Sequence, residues 1–208
     1  MKNAVIWDLD GTLLDSYHVI VESIYLTSLE FGVSIPKEEI HKHTIQYSTK
    51  SLFREISEIY AIPVEMLQRR YSQISSGKFK EIRVMAHGID ILEVLTANNV
   101  DNYVFTHRGR TTIPVLDHLK MTHYFKDILT SQSGFARKPD PEGLEYLIDR
   151  YSLERCHTWY VGDRAIDMQC AKNAGISGIL YLPANAIDVS GGAETVIVTD
   201  LLDIASVI

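Results

Sequence analysis

The chain has 208 residues, 46% of them hydrophobic and 23% charged, with a formal net charge of −7. That length suffices for one large domain, or a domain carrying a substantial insertion, whose core needs no staples. The acidic balance and the absence of a basic stretch exclude a nucleic-acid footprint, and Cys156 and Cys170 make neither a disulfide framework nor a zinc motif, so both read as core thiols.

Met1-Lys2-Asn3 runs straight into an apolar stretch too short for a signal peptide. No stretch approaches the ~18 apolar residues of a membrane span, so the expectation is a soluble cytoplasmic protein without membrane partners. Ala4-Val5-Ile6-Trp7 is a short apolar run ending abruptly at Asp8, the signature of a buried parallel strand with polar residues at its carboxyl end. From Leu14 to about Arg83 only helical signals follow. Ile20, Ile24 and Leu29 recur at near-helical spacing, with Gly32 as a stop. Pro36 with Glu38 and Glu39 reads as the first turn of a second helix. Leu52, Phe53, Ile56, Ile59 and Tyr60 form the apolar face of a third, and Pro63 opens a fourth that ends near Gly77.

Strand-like runs resume at residues 102–106, 127–130, 158–162, 178–182 and 195–199. Helical patterns such as Ile89, Leu92, Leu95 and Leu144, Leu147, Ile148 separate them. Strands alternating with helices predict an α/β fold, a doubly wound Rossmann-like parallel sheet. The helical stretch is then a cap inserted after the first strand. The expected division is a catalytic core of residues 1–14 and 84–208 and a cap of residues 15–83, hinged at residues 13–16 and 77–87.

Polar motifs sit where the apolar strands stop. The first strand ends in Asp8-Leu9-Asp10-Gly11-Thr12 and the second in Thr106-His107-Arg108. Lys138-Pro139-Asp140-Pro141 follows the third, and the fourth ends in Gly162-Asp163-Arg164-Ala165-Ile166-Asp167. In an open α/β sheet ligands bind beyond the carboxyl ends of the strands. Each motif has a plainer reading: a helix-capping aspartate, a strand-end hydroxyl, a solvated lysine, an exposed helix face. Their convergence on one edge of the sheet outweighs these. His41 and His43 lack a third metal ligand in view and read as cap residues. Tyr47 lies in the loop of residues 44–50 between two cap helices.

These motifs, in this order, resemble the haloacid dehalogenase-like hydrolase superfamily, whose phosphatases carry DxDGT, a Ser/Thr, a Lys and a GDxxxD pair. The resemblance covers nearly the whole chain and is closest to the phosphoglycolate-phosphatase and beta-phosphoglucomutase-like branch. It implies Asp8 as nucleophile and metal ligand. It makes Asp10 the general acid/base, giving its main-chain carbonyl to the metal. Asp163 becomes a metal ligand, and Asp167 a ligand or a neighbour of one. Thr106 and Lys138 would hold the phosphoryl oxygens. His107 and Arg108 depart from the commoner Thr-Asn-Lys/Arg loop and are assigned with them to the substrate, as is Tyr47 from the cap.

With four carboxylates and a phosphate dianion the site carries about −6, and at an effective dielectric of ~20 each like-charge pair at 4 Å costs about 4 kcal/mol. A divalent cation and Lys138 offset that repulsion, and oxygen ligands beside a phosphate favour Mg²⁺. The expected activity is Mg²⁺-dependent hydrolysis of a small phosphorylated metabolite by a monomer or homodimer, through an aspartyl phosphate on Asp8. The alternatives are a beta-phosphoglucomutase-like sugar phosphomutase and, outside enzymes, a phospho-acceptor signalling domain. Asp10 counts against dehalogenation and phosphonate hydrolysis, whose enzymes in this superfamily lack the second aspartate.

Overall fold

The computed structural model describes residues 2–184, 186, 187, 189 and 192–208. Six parallel strands form one sheet: β1 (Ala4–Trp7), β4 (Asp101–Phe105), β5 (Phe125–Leu129), β6 (Thr158–Gly162), β7 (Ser177–Tyr181) and β8 (Val196–Val198), in the order β5-β4-β1-β6-β7-β8. β1 lies between β4 and β6 and is buried along its whole length, which is why its residues read as an apolar run without alternation. Its Trp7 indole would be a costly buried donor if unpaired, and it donates to Asn102 Oδ1 at 2.9 Å on the neighbouring strand. After β1 the chain builds outward through β4 and β5, then returns past β1 to start β6. That reversal opens the crevice at the carboxyl ends in which such sheets bind ligands.

The helices of this unit are α5 (Gly88–Ala97), α6 (Thr112–His118), α7 (Glu142–Tyr151) and α8 (Ala165–Asn173). Ile6, Tyr103, Phe105 and Tyr160 from the sheet pack with Leu144, Leu147, Cys170 and Ala171 from α7 and α8. Cys170 is a core thiol as expected, whereas Cys156 is exposed.

The chain divides into two compact units, residues 1–15 with 83–208 and residues 16–82. The second holds α1 (Tyr17–Glu30), α2 (Lys37–Gln46), α3 (Thr49–Tyr60) and α4 (Val64–Gly77) around a core of its own that includes Ile20, Ile24, Ile40, Phe53, Ile56 and Leu67. The Ser48 hydroxyl caps α3 by accepting the Ser51 N–H at 3.0 Å. Leu52, Phe53 and Ile56 are buried as the periodicity predicts, but Ile59 and Tyr60 are 73% and 52% exposed. The packed face of α3 stops one turn before the helix does.

Two short strands escape the sequence pattern. β2 (Leu14–Asp15) and β3 (Arg83–Val84) form an antiparallel pair on either side of the helical insertion. Two residues each is too short for any hydrophobic period to register. Among the described residues no helix is long and apolar enough to cross a membrane.

Candidate active site

Beyond the end of β1 the ladder continues for one residue, because the Asp8 N–H donates to Val161 O at 2.8 Å. The chain then turns back on itself: Thr12 N–H and Leu14 N–H both donate to Leu9 O, and Gly11 N–H donates to Leu14 O. Gly11 turns with φ +82°, a conformation that strains any residue with a Cβ. This loop lodges Asp8, 4% exposed, at the sheet edge and leaves the Asp10 side chain 23% exposed. Thr106 lies just past β4, where its N–H extends the ladder to Leu129 O and its hydroxyl oxygen accepts the Arg108 N–H at 3.2 Å.

Lys138 arrives from a loop held on three sides. Its own N–H donates to His107 Nε2 at 2.9 Å. From α8, Asn173 Nδ2 donates to Pro139 O at 2.8 Å and the Cys170 thiol to Asp140 O at 3.3 Å. The ammonium is wholly buried, 3.0 Å from Asp8 Oδ1 and 2.8 Å from Asp167 Oδ1, with the Phe105 and Tyr160 rings 5.4 and 5.1 Å from it. Burial works against a charged lysine, but the Asp167 and Asp8 carboxylates outweigh it and hold Lys138 above its ordinary value. Asp8 moves up from the usual carboxylate range. Its burial is the largest cause, opposed by Lys138 and reinforced by Asp167.

Asp167 is fully buried. Its Oδ1 takes the Lys138 ammonium and lies 3.3 Å from the Tyr160 hydroxyl, and its Oδ2 takes the Arg164 N–H at 3.2 Å. Gly162 makes room for it: a Cβ at that position would stand 2.4 Å from Asp167 Cβ. The glycine in the GDxxxD pattern is therefore what lets β6 end against the first turn of α8.

Asp8, Asp163 and Asp167 each bring a carboxylate oxygen within 4.8 Å of the others, all three residues buried. Asp8 Oδ1 has no hydrogen-bond partner despite its closeness to Lys138. Buried carboxylates this close together repel one another unless a cation lies among them, and an all-oxygen donor set suits a hard divalent ion. The residues present thus fit such an ion. Both Asp167 oxygens are already engaged by Lys138, Tyr160 and Arg164, which suits it to orienting the cluster. Asp163 Oδ1 accepts the Thr12 hydroxyl at 3.4 Å.

The remaining residues singled out in the sequence lie as follows. His107 is turned toward the Lys138 loop. Burial above all, then Lys138, Arg137 and Arg164, push its imidazole down to about 2, and accepting at Nε2 requires the neutral ring. The Arg108 guanidinium donates through Nε and Nη2 to Asp10 Oδ1 at 3.0 and 2.6 Å, and through Nη1 to Thr111 Oγ1 at 2.9 Å. Tyr47 follows α2 in the helical unit, 63% exposed, its ring 5.0 Å from that of His43. His43 Nε2 pairs with Glu55 at 2.7 Å. Neither His41 nor His43 belongs to a cluster of three potential ligands among the described residues.

Sequence reasoning passed over Tyr160 and Asn173, read Cys170 as a core thiol alone, and gave Thr12 no place among the site residues. Tyr160 lies inside an apolar strand, and its hydroxyl, 3.3 Å from Asp167 Oδ1, and its ring, beside the Lys138 ammonium, tie it to the site. Thr12 was visible as the last letter of DxDGT, and a polar residue closing a motif was the available signal.

A family model described as haloacid dehalogenase-like hydrolase matches residues 5–181. Phosphoglycolate phosphatase 1 of Pseudomonas aeruginosa is 25% identical over 98% of this chain and 79% of its own length. Pyrophosphatase PpaX of Oceanobacillus iheyensis is 25% identical over 83% of this chain and 79% of its own. Two solved structures share the fold. A HAD-superfamily hydrolase, subfamily IA, from Geobacter sulfurreducens superposes with a TM-score of 0.75 at 21% identity, covering 99% of this chain and 96% of that one. CbbY from Rhodobacter sphaeroides in complex with phosphate gives 0.83 at 14% identity, covering 98% and 96%.

Proposed function

The chain belongs to the haloacid dehalogenase-like hydrolase family, and on that premise we propose that this enzyme is a Mg²⁺-dependent phosphatase acting on a small phosphomonoester through an aspartyl phosphate on Asp8. The observation that carries the reading is the cluster of buried carboxylates Asp8, Asp163 and Asp167, with the buried ammonium of Lys138 against Asp8 and Asp167, at the carboxyl edge of the sheet. The names of relatives such as the Pseudomonas and Oceanobacillus enzymes support phosphate chemistry of this kind.

Asp8 attacks phosphorus, the bond to the ester oxygen breaks, and that oxygen takes a proton from the Asp10 carboxyl. Asp10, now ionised, removes a proton from water, which attacks the aspartyl phosphate, releases inorganic phosphate and restores both carboxyls. Thr106, whose oxygen accepts from the Arg108 N–H, has its hydroxyl proton to give a phosphoryl oxygen. Lys138 offsets the charge gathering on the transferred group. Asp8, Asp163 and the Asp10 carbonyl, with Asp167 orienting them, would hold a divalent ion, whose charge would lower the repulsion between nucleophile and phosphate dianion. Tyr47 is our candidate for a substrate contact from the cap.

The test is release of inorganic phosphate from a panel of small phosphomonoesters, with and without Mg²⁺, in wild type and Asp8→Asn. The expected result is Mg²⁺-dependent release that vanishes in a folded Asp8→Asn protein. Retention of more than about a tenth of the activity would remove Asp8 as nucleophile, since a lost nucleophile costs far more than tenfold. Isomerised sugar phosphate without release of inorganic phosphate would favour the mutase.

A further inference from the structure

Arg108 and Asp10 are 98 residues apart in sequence and meet at the edge of one sheet. From that contact we infer that Arg108 is the positioning residue of the acid/base carboxyl and not a binder of the substrate's phosphoryl group. The inference rests on the proposed role of Asp10.

Three features carry it. First, an arginine that binds phosphate presents its planar fork to the ligand, two parallel N–H groups to two oxygens. Here the Nε/Nη2 edge is turned to Asp10 at 3.0 and 2.6 Å, and Nη1 donates to Thr111 at 2.9 Å, so three of the five N–H groups are engaged by the protein. Second, the guanidinium is itself held. Its side chain is only 9% exposed, and Thr111 is the residue immediately before α6. An arginine braced on one side and packed from solvent is a stiff support for what lies on its other side. Third, these two hydrogen bonds to Asp10 share one oxygen, Oδ1. The anchoring oxygen and the proton-carrying oxygen are then different atoms. A neutral Asp10 still accepts at Oδ1 with its proton on Oδ2, and an ionised Asp10 accepts there too. Because the Asp10 main chain is fixed by the turn of residues 9–14, the side-chain torsions are what Arg108 sets. A carboxyl that must first give and then take a proton needs one orientation through both steps.

The two steps allow the role to be read separately. Breaking the bond to an alkyl leaving group needs the Asp10 proton, whereas 4-nitrophenolate leaves without one. Hydrolysis of the aspartyl phosphate needs Asp10 as base whichever ester loaded it. The experiment compares kcat/KM and pre-steady-state bursts on an alkyl phosphate and on 4-nitrophenyl phosphate, for wild type, Arg108→Ala and Arg108→Lys, with thermal unfolding as the fold control. Arg108→Ala is expected to lower kcat/KM on the alkyl ester by about 100-fold, the scale of a misaligned general acid. It should leave kcat/KM on the aryl ester nearly unchanged. It should also give a burst of nitrophenolate stoichiometric with enzyme, because hydrolysis of the intermediate has become slow. Arg108→Lys should recover part of the alkyl loss, and it carries the comparison if the alanine variant does not fold. An equal fall in kcat/KM on both esters would mean that Arg108 grips the phosphoryl group and would overturn the inference alone, as would no fall on either. Wild type releasing no phosphate from either ester would remove the reading of the site, and the inference with it.

Discussion

Buried polarity is managed in two different ways in the two units of this chain. In the helical unit three buried hydroxyls are satisfied within their own helix, one turn back, with Ser28 Oγ left without a partner: Ser23 donates to Val19 O, Thr27 to Ser23 O and Thr44 to Ile40 O, each at 2.7 or 2.8 Å. Its ion pairs, such as Arg70 with Glu30 and Lys37 with Glu22, lie at the surface. In the α/β unit the polar groups buried at the sheet edge include charges, and these find partners distant in sequence. Lys138 meets Asp167 across 29 residues, Arg108 meets Asp10 across 98, and Thr12 meets Asp163 across 151. Local satisfaction costs little and commits the chain to little. Charges buried far from their sequence neighbours are expensive to assemble and mark the place where the fold does chemistry.

The contrast breaks first, and hardest, at Lys138. Lys138→Met leaves Asp8 and Asp167 buried without their shared cation. With chelator present, urea denaturation should show a loss of about 3–5 kcal/mol, and turnover should disappear. A variant as stable as wild type would mean that the buried charges do not depend on one another.

A smaller effect separates His107 from the surface histidines. Its folded value is about 2 against an ordinary 6.5, so the unfolded chain binds this proton and the folded chain does not. Stability from this source is complete above 6.5 and is lost as pH falls below it. The slope approaches about 1.4 kcal/mol per pH unit between roughly pH 6 and 4. In His107→Asn that slope should vanish, so the difference between wild type and variant shrinks with acidification. Parallel curves of stability against pH would place the histidine in contact with solvent.

The smallest effect belongs to the helical unit. Arg70→Ala removes an exposed pair that water and salt already weaken, so the urea midpoint should stay within measurement error and phosphate release should be unchanged. A marked loss in either would erase the distinction between the units.

Much of the architecture was legible in the chain. Strands buried on both faces read as apolar runs, so β1 and β6 were found with their bounds unchanged, and β4 and β7 were displaced by one residue. The helical insertion declared itself through Pro36, Pro63 and Gly32. The motif residues were legible because they stand where apolar runs stop. The β2/β3 pair was not, being shorter than any period. Ile59 and Tyr60 were assigned to a buried face they do not share, because periodicity reports which side a residue is on and not how far the neighbouring helices reach.

By itself, then, the sequence determined the alternation of strands and helices, the insertion, and the meeting of Asp8, Asp10, Thr106, Lys138 and Asp163 at one sheet edge. These follow from hydrophobic period and chain order, which are local or cumulative properties. Only the tertiary structure decided that His107 turns to the Lys138 loop, that Arg108 turns to Asp10, and that Tyr160 and Cys170, outwardly core residues, close the network around the lysine. A hydrogen bond needs its two atoms within about 3 Å and aligned, and no pattern along the chain carries that distance until the sheet has assembled.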